Sequence, residues 1–598
     1  MEFIKRHYRL IVILSLAGYF FYAAENFFLS KTAPFFDRGF FNYPLLQDDY
    51  AMHFTHAHEA ALFFKTHLRL WGYSPYHCAG FLTGVFESLS NNWAFLIMLI
   101  FGALGKPEFI FNLAIFSSYL VYPIAAFFIA RNFNLGKINS LFFLIFSLFL
   151  VMGFRKAADL ANFSSYGMYG FPLAVNLSFW AASCFYKYIQ DKTNKNLIGL
   201  TITGCFAVFV HPLSFIICLA LTLPILLAYF HRLKLKDIYK IAASAFIVMA
   251  INLLWIAPFI EFSYLKGPAA NYFQTDWQSF WRLFAKQPSF VLLILFLISV
   301  FQSYRYKERR LIVCLLSSWC LFFVVSFFGT QIGLGNIQPY RFVLPLSLLS
   351  LLLTCGIAET QLKKKDFIFI LLLILLAVFL NSRPKKYDFG FRRYPAANEI
   401  LQFIKEHTSP GARIHVQDSS SDPYFGSHFT ALIPYYTGRE IVAAPCPFPQ
   451  DKFTFAQFVD GNIFQKELNN LSEQELAKYM ELYNIKYFLV FSQQAHEYFS
   501  KNMKFKKVFS RAEFGIYEYA GASDSYCYQC QAIVEAGYDS IKVKNAFAKK
   551  TILKYHYLST LKIKPENLII QPIKLMDDPI PFIMVENGDC HDFTIYNP

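Results

Sequence analysis

The alternation of apolar and polar positions divides the chain near residue 383. Before that point, apolar runs close to the ~20 residues needed to cross a bilayer alternate with short polar loops. They fall at about residues 10–30, 108–130, 139–154, 171–187, 197–211, 213–230, 241–259, 289–303, 311–328, 342–360 and 367–381. The run Trp93 to Leu104 is shorter than a ~30 Å hydrocarbon core requires, so it reads as an interfacial or re-entrant helix. After Pro384 the pattern is that of a soluble domain. Ala396 to His407 has helical spacing and is ended by Ser409-Pro-Gly411, and Arg413 to Val416 reads as a strand. Glu473 to Tyr483 reads as a second helix leading into Ile485 to Phe491, an apolar run of the buried-strand type. Beyond Gly521, alternation such as Ile541 to Val543 and Phe582 to Val585 predicts a β-rich module. The expected fold class is a polytopic α-helical membrane protein, about 11 spans plus juxtamembrane helices, with a C-terminal soluble α/β plus β-rich domain. Its expected domains are 1–383, with a long first outer loop at 31–107, then 384–520 and 521–598.

Composition supports the membrane reading. The chain is 56% hydrophobic and only 16% charged, where soluble domains carry about 25% charged residues. Lys5-Arg6-His7-Tyr8-Arg9 followed by Leu10 to Phe28 looks like a signal peptide at its start. Its apolar run, however, exceeds the ~7–15 residues of a signal core and no small-x-small site follows, so it reads as a retained first span. A net charge of +15 invites nucleic acid as a partner. Its distribution argues against that. Lys and Arg are several times denser in the first nine residues and in the loops Arg131–Ile138, Lys187–Asn196, His231–Lys240, Tyr304–Arg310 and Gln361–Asp366 than in the intervening loops. This is the positive-inside asymmetry of a multi-pass protein, here of a bacterial inner membrane. With Trp93 to Leu104 not crossing, every basic loop is cytoplasmic and the chain after Asn381 is extracytoplasmic.

Chemistry concentrates in the first outer loop. Asn42-Tyr-Pro-Leu-Leu-Gln-Asp-Asp-Tyr50 and the run after it carry Asp48, Asp49, His53, His56, His58 and Glu59 within twelve residues. Acids beside a bilayer surface are costly unless they face water, a cation or a substrate. A helix over 49–58 would set Asp49, His53 and His56 on one face at i, i+4 and i+7. Asp48, Asp49, His53 and His56 are therefore candidate ligands for Mn²⁺, Mg²⁺ or Zn²⁺. The bland alternative is a solvated loop with scattered imidazoles. Three other outer loops add Asp159, then Glu261, Asp276 and Arg282 among tryptophans, then Gly333-Leu-Gly-Asn-Ile-Gln-Pro-Tyr-Arg341 just before a span. Cys205, Cys218, Cys314 and Cys355 lie in apolar runs, whereas Cys446, Cys527, Cys530 and Cys590 lie in the exported part, where disulfides persist. Cys527-Tyr-Gln-Cys530 lacks the second CxxC or histidine pair of a zinc site. A structural disulfide at Cys527 and Cys530 is expected, although spacing alone leaves the pairing of the four open.

This layout resembles the membrane glycosyltransferases of the GT-C superfamily, relatives of protein O-mannosyltransferases, oligosaccharyltransferase catalytic subunits and lipid A aminoarabinose transferases. The resemblance rests on a first span, an acidic pair in a long first outer loop, a further acid in the next, many spans and an exported C-terminal domain. Tyr43-Pro-Leu-Leu-Gln-Asp-Asp-Tyr-Ala-Met-His53, Ile337-Gln-Pro-Tyr-Arg-Phe-Val-Leu-Pro345, Leu432-Ile-Pro-Tyr-Tyr-Thr-Gly-Arg439 and Leu482-Tyr-Asn-Ile-Lys-Tyr-Phe-Leu-Val490 are similar to segments of bacterial and archaeal members with such a domain. The resemblance implies transfer of a sugar from a polyprenyl-phosphate carrier to a glycan, lipid or protein acceptor outside the cytoplasm. It also implies roles: Asp49 as base, Asp48 as its partner or a metal ligand, and Asp159 completing an acidic cluster. Arg341, with Gln338, Tyr340 and His53, would bind substrate. Family members differ in their use of a divalent cation, and Asp48-Asp49 departs from a D-x-D motif. A non-catalytic transporter of lipid-linked glycans, or an envelope-assembly scaffold, needs the same layout without the carboxylates. A metallohydrolase would need an H-E-x-x-H or similar motif, which is missing.

Overall fold

The computed structural model describes residues 8–28, 39–46, 48–86, 91–152, 167–267, 278, 309–361, 394–420, 424–446 and 451–598. The chain divides into two compact units. One comprises Met1–Tyr43, Leu89–Ile256 and Asn271–Tyr387, the other Pro44–Ser88, Ala257–Ala270 and Asp388–Pro598.

The helices of the first part of the chain are α1 (Tyr8–Phe28), α2 (Gly39–Asn42), α3 (Tyr50–His67), α4 (Asn92–Phe101), α5 (Pro107–Asn132) and α6 (Lys137–Met152). They continue with α7 (Gly170–Asp191), α8 (Asn194–Val210), α9 (Leu213–Tyr229), α10 (Leu235–Glu261), α11 (Arg309–Phe328) and α12 (Val343–Gln361). All but α3 and the last turn of α10, from Ala257 on, belong to the first unit, where α7 packs against α5, α8 and α9. Among the described residues, four helical segments are long and apolar enough to cross a membrane: Pro107–Asn132, Leu213–Arg232, Leu235–Glu261 and Arg309–Phe328. The expected spans at 289–303 and 367–381 lie outside the described residues, so the count of eleven rests on the sequence pattern. Helix α4 has 10 residues and is about 15 Å long, half the thickness of the hydrocarbon core. The polar side chains buried in this unit tie its segments together. Asn112 Nδ2 donates to Phe40 O (2.8 Å) and Tyr43 O (2.7 Å), and Trp319 Nε1 donates to Ser350 Oγ at 2.7 Å.

The second unit is assembled from three stretches of chain. Residues 44–88, which the sequence pattern groups with the membrane part, supply α3 and an antiparallel hairpin of β1 (Gly72–Ser74) and β2 (Phe81–Thr83). The C-terminal stretch begins with α13 (Pro395–His407), whose Ala397, Ile400, Leu401 and Ile404 are buried at helical spacing. A mixed sheet follows: β3 (Arg413–Asp418), β4 (Ile441–Val442), β5 (Phe458–Val459), β6 (Asn462–Ile463), β7 (Lys466–Glu467), β8 (Ile485–Val490), β9 (Phe505–Arg511) and β10 (Phe514–Tyr519). Strand β3 lies at its centre, parallel to β4, β5 and β8. Its covering helices include α14 (Ile433–Thr437), α15 (Glu473–Tyr483) and α16 (Gln493–Lys501). Helix α15 starts where the sequence predicts because Ser472 Oγ accepts from Glu475 N, satisfying one of the free amides of the first turn.

The remaining chain forms two four-stranded antiparallel sheets. One has the order β11 (Cys527–Tyr528), β14 (Lys550–His556), β17 (Phe582–Glu586), β16 (Ile569–Ile573). The other has the order β12 (Ile533–Gly537), β13 (Ser540–Lys544), β18 (Phe593–Tyr596), β15 (Lys562–Lys564). Their inward residues Val543, Leu553, Ile583 and Ile595 share one apolar cluster with Tyr73, Phe81, Leu82 and Val85 from the first-loop hairpin. Polar contacts reinforce that join. Arg69 Nη2 lies 2.7 Å from Asp539 Oδ2, Tyr73 N donates to Asp539 Oδ1 at 2.8 Å, and Cys78 N donates to Ile441 O at 3.0 Å. Gly80 has φ +104°, with the Tyr73 hydroxyl lying where a β-carbon would stand, so the turn between β1 and β2 needs glycine there. Arg413, fully buried at the start of β3, joins the mixed sheet to the antiparallel one. Its Nε donates to Glu440 Oε2 at 2.8 Å, its Nη1 donates to Lys554 O at 2.8 Å, and its guanidinium lies 4.8 Å and 4.6 Å from the ring centres of Tyr526 and Tyr555, which stack on each other.

Candidate active site

Asp48 and Asp49 stand immediately before α3. Asp48 has a left-handed φ of +53°, a backbone state that Asp tolerates better than most residues. This turns the chain so that Asp48 bridges Ser427 in parallel register, while Asp49 takes the N-cap position of α3. The same bridge carries His428 to the acids. His428 N donates to Asp48 O at 3.4 Å, and His428 Nε2 donates to Asp49 Oδ1 at 2.9 Å. One ligand atom from each of Asp48, Asp49 and His428 lies within 4.8 Å of the others. His428 is buried, whereas Asp49 stays 16% exposed, so the carboxylate keeps an open side. Burial alone would lower the His428 pKa. The Asp49 hydrogen bond and the charges of Asp49, Asp418 and Asp48 outweigh it and raise the pKa above the ordinary value. The helix N-terminus favours the same negative charges.

Around this group the second unit is polar but closed. Asp418, buried at the end of β3, accepts from Thr430 Oγ1 at 3.1 Å and from Ser419 N at 2.8 Å, and burial pushes its pKa up. Further along α3, His56 faces the hairpin. Its Nδ1 lies 3.2 Å from Thr83 Oγ1, and burial lowers its pKa to about 4. Glu59, also buried, accepts from Thr83 Oγ1 at 2.7 Å and from Ser74 Oγ at 3.3 Å. His53 follows one turn after Asp49, its N donating to Asp49 O at 2.9 Å, and is buried. Of the four ligands expected from spacing, only Asp48 and Asp49 converge. His53 and His56 stand outside the group, which His428 completes. The reason is local: Asp49 sits before the first turn, and its carboxylate meets the 427–428 loop rather than the side chains farther along α3. Two carboxylates and one imidazole form a hard-to-borderline donor set that suits Mn²⁺, Mg²⁺ or Zn²⁺.

The first unit holds the other expected residues. Arg341 follows Gln338, which has a left-handed φ of +53°, and Tyr340, in a 3₁₀ turn Pro339–Phe342 that leads into α12. Arg341 Nη1 lies 2.9 Å from His211 Nε2, and its guanidinium is 5.7 Å from the Phe171 ring centre. Leu213 N donates to His211 Nδ1 at 3.2 Å. Arginine only donates and a neutral imidazole accepts at one nitrogen, so only one of these two contacts is a hydrogen bond; the guanidinium is the donor-rich group here, of the kind that recognises anions. Asp159 lies outside the described residues. Cys527 and Cys530 are bonded to each other. The residues that sequence reasoning did not single out are His428, Asp418 and Thr430. His428 stands 379 positions from Asp49, an isolated histidine in a segment without metal or catalytic spacing.

No family model matches the chain, and no curated protein matches it by sequence. By structure it is similar to arabinofuranosyltransferase AftD from Mycobacteria, with a TM-score of 0.59 and 13% identity over 88% of this chain. This chain spans 41% of that protein. It is also similar to the archaeal oligosaccharyltransferase AglB from Archaeoglobus fulgidus, a structure in complex with an inhibitory peptide and a dolichol-phosphate. There the TM-score is 0.50 and the identity 11%, over 81% of this chain and 69% of that one. Likeness at these identities concerns architecture, and on that ground this chain has a GT-C-like fold.

Proposed function

We propose that this chain is a glycosyltransferase that moves a sugar from a polyprenyl-phosphate carrier to a lipid, glycan or protein acceptor on the extracytoplasmic face of a membrane. The observation that carries this reading is the Asp48, Asp49 and His428 group within a chain of GT-C-like fold. Asp49 takes the proton of the acceptor hydroxyl as that oxygen attacks the sugar. The 2.9 Å bond from His428 Nε2 holds the carboxylate in one orientation. Asp48 adds negative charge beside it, and Asp159 is a further acid assigned to the reaction. Arg341, held beside His211, supplies N–H donors for the carrier phosphate, with Gln338 and Tyr340 flanking it. Asp48, Asp49 and His428 would hold a divalent cation, which when bound supplies positive charge for oxygens that become negative. His53 and His56 support α3 instead of ligating.

The test uses purified full-length protein and labelled polyprenyl-phosphate sugar. Asp49→Asn keeps shape but removes proton acceptance, so turnover is expected to fall by about 10²–10⁴-fold with donor binding largely kept. Arg341→Ala removes a charge-assisted contact worth roughly 1.5–3 kcal/mol, so donor binding is expected to weaken about ten- to a hundred-fold. Transfer at the parental rate by Asp49→Asn would sink the assignment. If the parent protein bound the carrier-linked sugar but transferred none, a non-catalytic transporter or scaffold would explain the chain better.

A further inference from the structure

The second unit contains a cleft that the transfer reaction leaves unused. Its volume is about 660 Å³, within the ~300–1,000 Å³ typical of small-molecule sites. Lys554, on β14, contributes to its wall although the residue is only 2% exposed, and Lys554 Nζ donates to Asn484 Oδ1 at 3.2 Å. Glu481 and Asp524 provide carboxylates, and Gln529 and Gln531 provide carboxamides. The bonded Cys527 and Cys530 form part of the same wall, and pairing of Cys527 with Leu553 fixes that turn beside Lys554.

Most sites for drug-like ligands are apolar with a few polar groups. Here the two carboxylates accept, Lys554 donates and the glutamine side chains do both, beside the less polar surface of Ala532 and the disulfide. Lys554 shares the wall with Glu481 and Asp524, and Lys486 Nζ, next to the cleft, donates to Asp524 Oδ1 at 3.2 Å, so two lysines offset two carboxylates. Burial, and then the charge of Arg413, lower the Lys554 pKa to about 8, which further weakens the case for a polyanion. Each hydroxyl of a neutral sugar both donates and accepts, and so matches such a lining. A peptide adding to the sheet edge would need a longer template than β11, which has 2 residues.

We infer that this cleft is a binding subsite for a neutral, hydroxyl-rich glycan, separate from the acids that carry out transfer. The inference rests on the glycosyltransferase reading only for its purpose, which is to retain a glycan acceptor or product. The binding itself is measurable without turnover. The experiment uses the full-length Asp49→Asn protein, immobilised, with neutral glucose, mannose and arabinose oligosaccharides of four to six units. Sulfated oligosaccharides of the same length and a Gly/Ser peptide serve as comparators, and a polyprenyl-linked oligosaccharide tests whether the glycan arrives free or on its carrier. At least one neutral oligosaccharide is expected to bind, free or carrier-linked. Binding is expected to fall tenfold or more with Gln529→Ala and Gln531→Ala together, since each removes amide hydrogen bonds without burying a charge. Both changes lie in a surface turn, so an unchanged thermal transition keeps the test interpretable. Asp524→Asn, which keeps the shape, provides a second variant. The inference is overturned if no neutral oligosaccharide binds, if the double variant binds as the parent does, or if the sulfated ligand or the peptide binds better. Loss of the cleft reading alone would leave Asp49→Asn inactive in transfer. Failure of the transfer reading would appear as a parent protein that transfers no sugar while glycan binding stays intact.

Discussion

Asp48 and Asp49 bring two like charges within 4.8 Å of each other, a repulsion of roughly 3–4 kcal/mol at an effective dielectric of 20. His428 relieves it, and the same nitrogen that donates to Asp49 is the one a cation would need. The two uses exclude each other, which gives a signed expectation. The His428 pKa is raised, so its proton is held through the ordinary imidazole range and is lost only above it. Mn²⁺ affinity, measured by calorimetry on the full-length protein, should therefore be weak near pH 6.5 and climb as the pH rises through that raised value. In His428→Ala the affinity should be tenfold or more lower and the climb should disappear. A parent whose Mn²⁺ affinity is flat with pH would remove His428 from the ligand set. In the absence of metal the opposite trend applies. The stability that the imidazolium gains from Asp49 is fully present below the ordinary histidine value and is lost as the pH rises past the raised one.

Strand β3 joins several features of the second unit, with Arg413 at its start, His415 at its centre and Asp418 at its end. His415 is fully buried among the rings of Phe458, Phe464 and Phe488, and its Nε2 donates to Ala456 O at 2.8 Å. Burial lowers its pKa to about 3, despite the Ala456 bond. Because the folded value lies below the unfolded one, the stability of the neutral ring is present above about pH 6.5 and is lost as the pH falls toward 3. By pH 5 the loss is about 2 kcal/mol. His415→Gln keeps a donor for Ala456 O, and chemical denaturation of the second unit should then lose that much of its acid sensitivity. An unchanged pH profile would count against the neutral buried ring. Elements such as α13, α15 and β8 were legible because their burial pattern is local and periodic. Helix α3 was legible as a helix but not in its surroundings. Twelve of its 18 residues are buried: His56 and Glu59 pack against the hairpin at Thr83 and Ser74, whereas His58 meets the Tyr435 ring and His67 is exposed.

At the scale of the whole chain, the sequence pattern marked a helical membrane part, a β-rich C-terminal region and two of the three residues in the acid group, but it placed residues 44–88 with the membrane part, whereas they belong to the second unit. It missed the third because nothing local marks His428, whose role depends on a bridge between segments hundreds of positions apart. The side of the membrane on which residues 394–598 lie is still an inference from loop charge, and it has a direct check. Met503 is fully exposed, so Met503→Cys should react with a membrane-impermeant maleimide in cells whose inner membrane is intact. Protection there would reverse the topology. Completion of the second unit also depends on the order of synthesis. Its hairpin, residues 72–83, is made about 450 residues before the strands that share its core, which begin with β12 at Ile533. At about 5–20 residues per second, that is roughly 20–90 s during which Tyr73, Phe81 and Leu82, with Val85 just beyond them, have no finished partner. Over that interval, chaperones and proteases compete for the nascent chain. Substitutions in the hairpin, such as Gly80→Val, should therefore reduce how much protein accumulates in cells, measured by immunoblot, more than they reduce the specific activity of the molecules that survive.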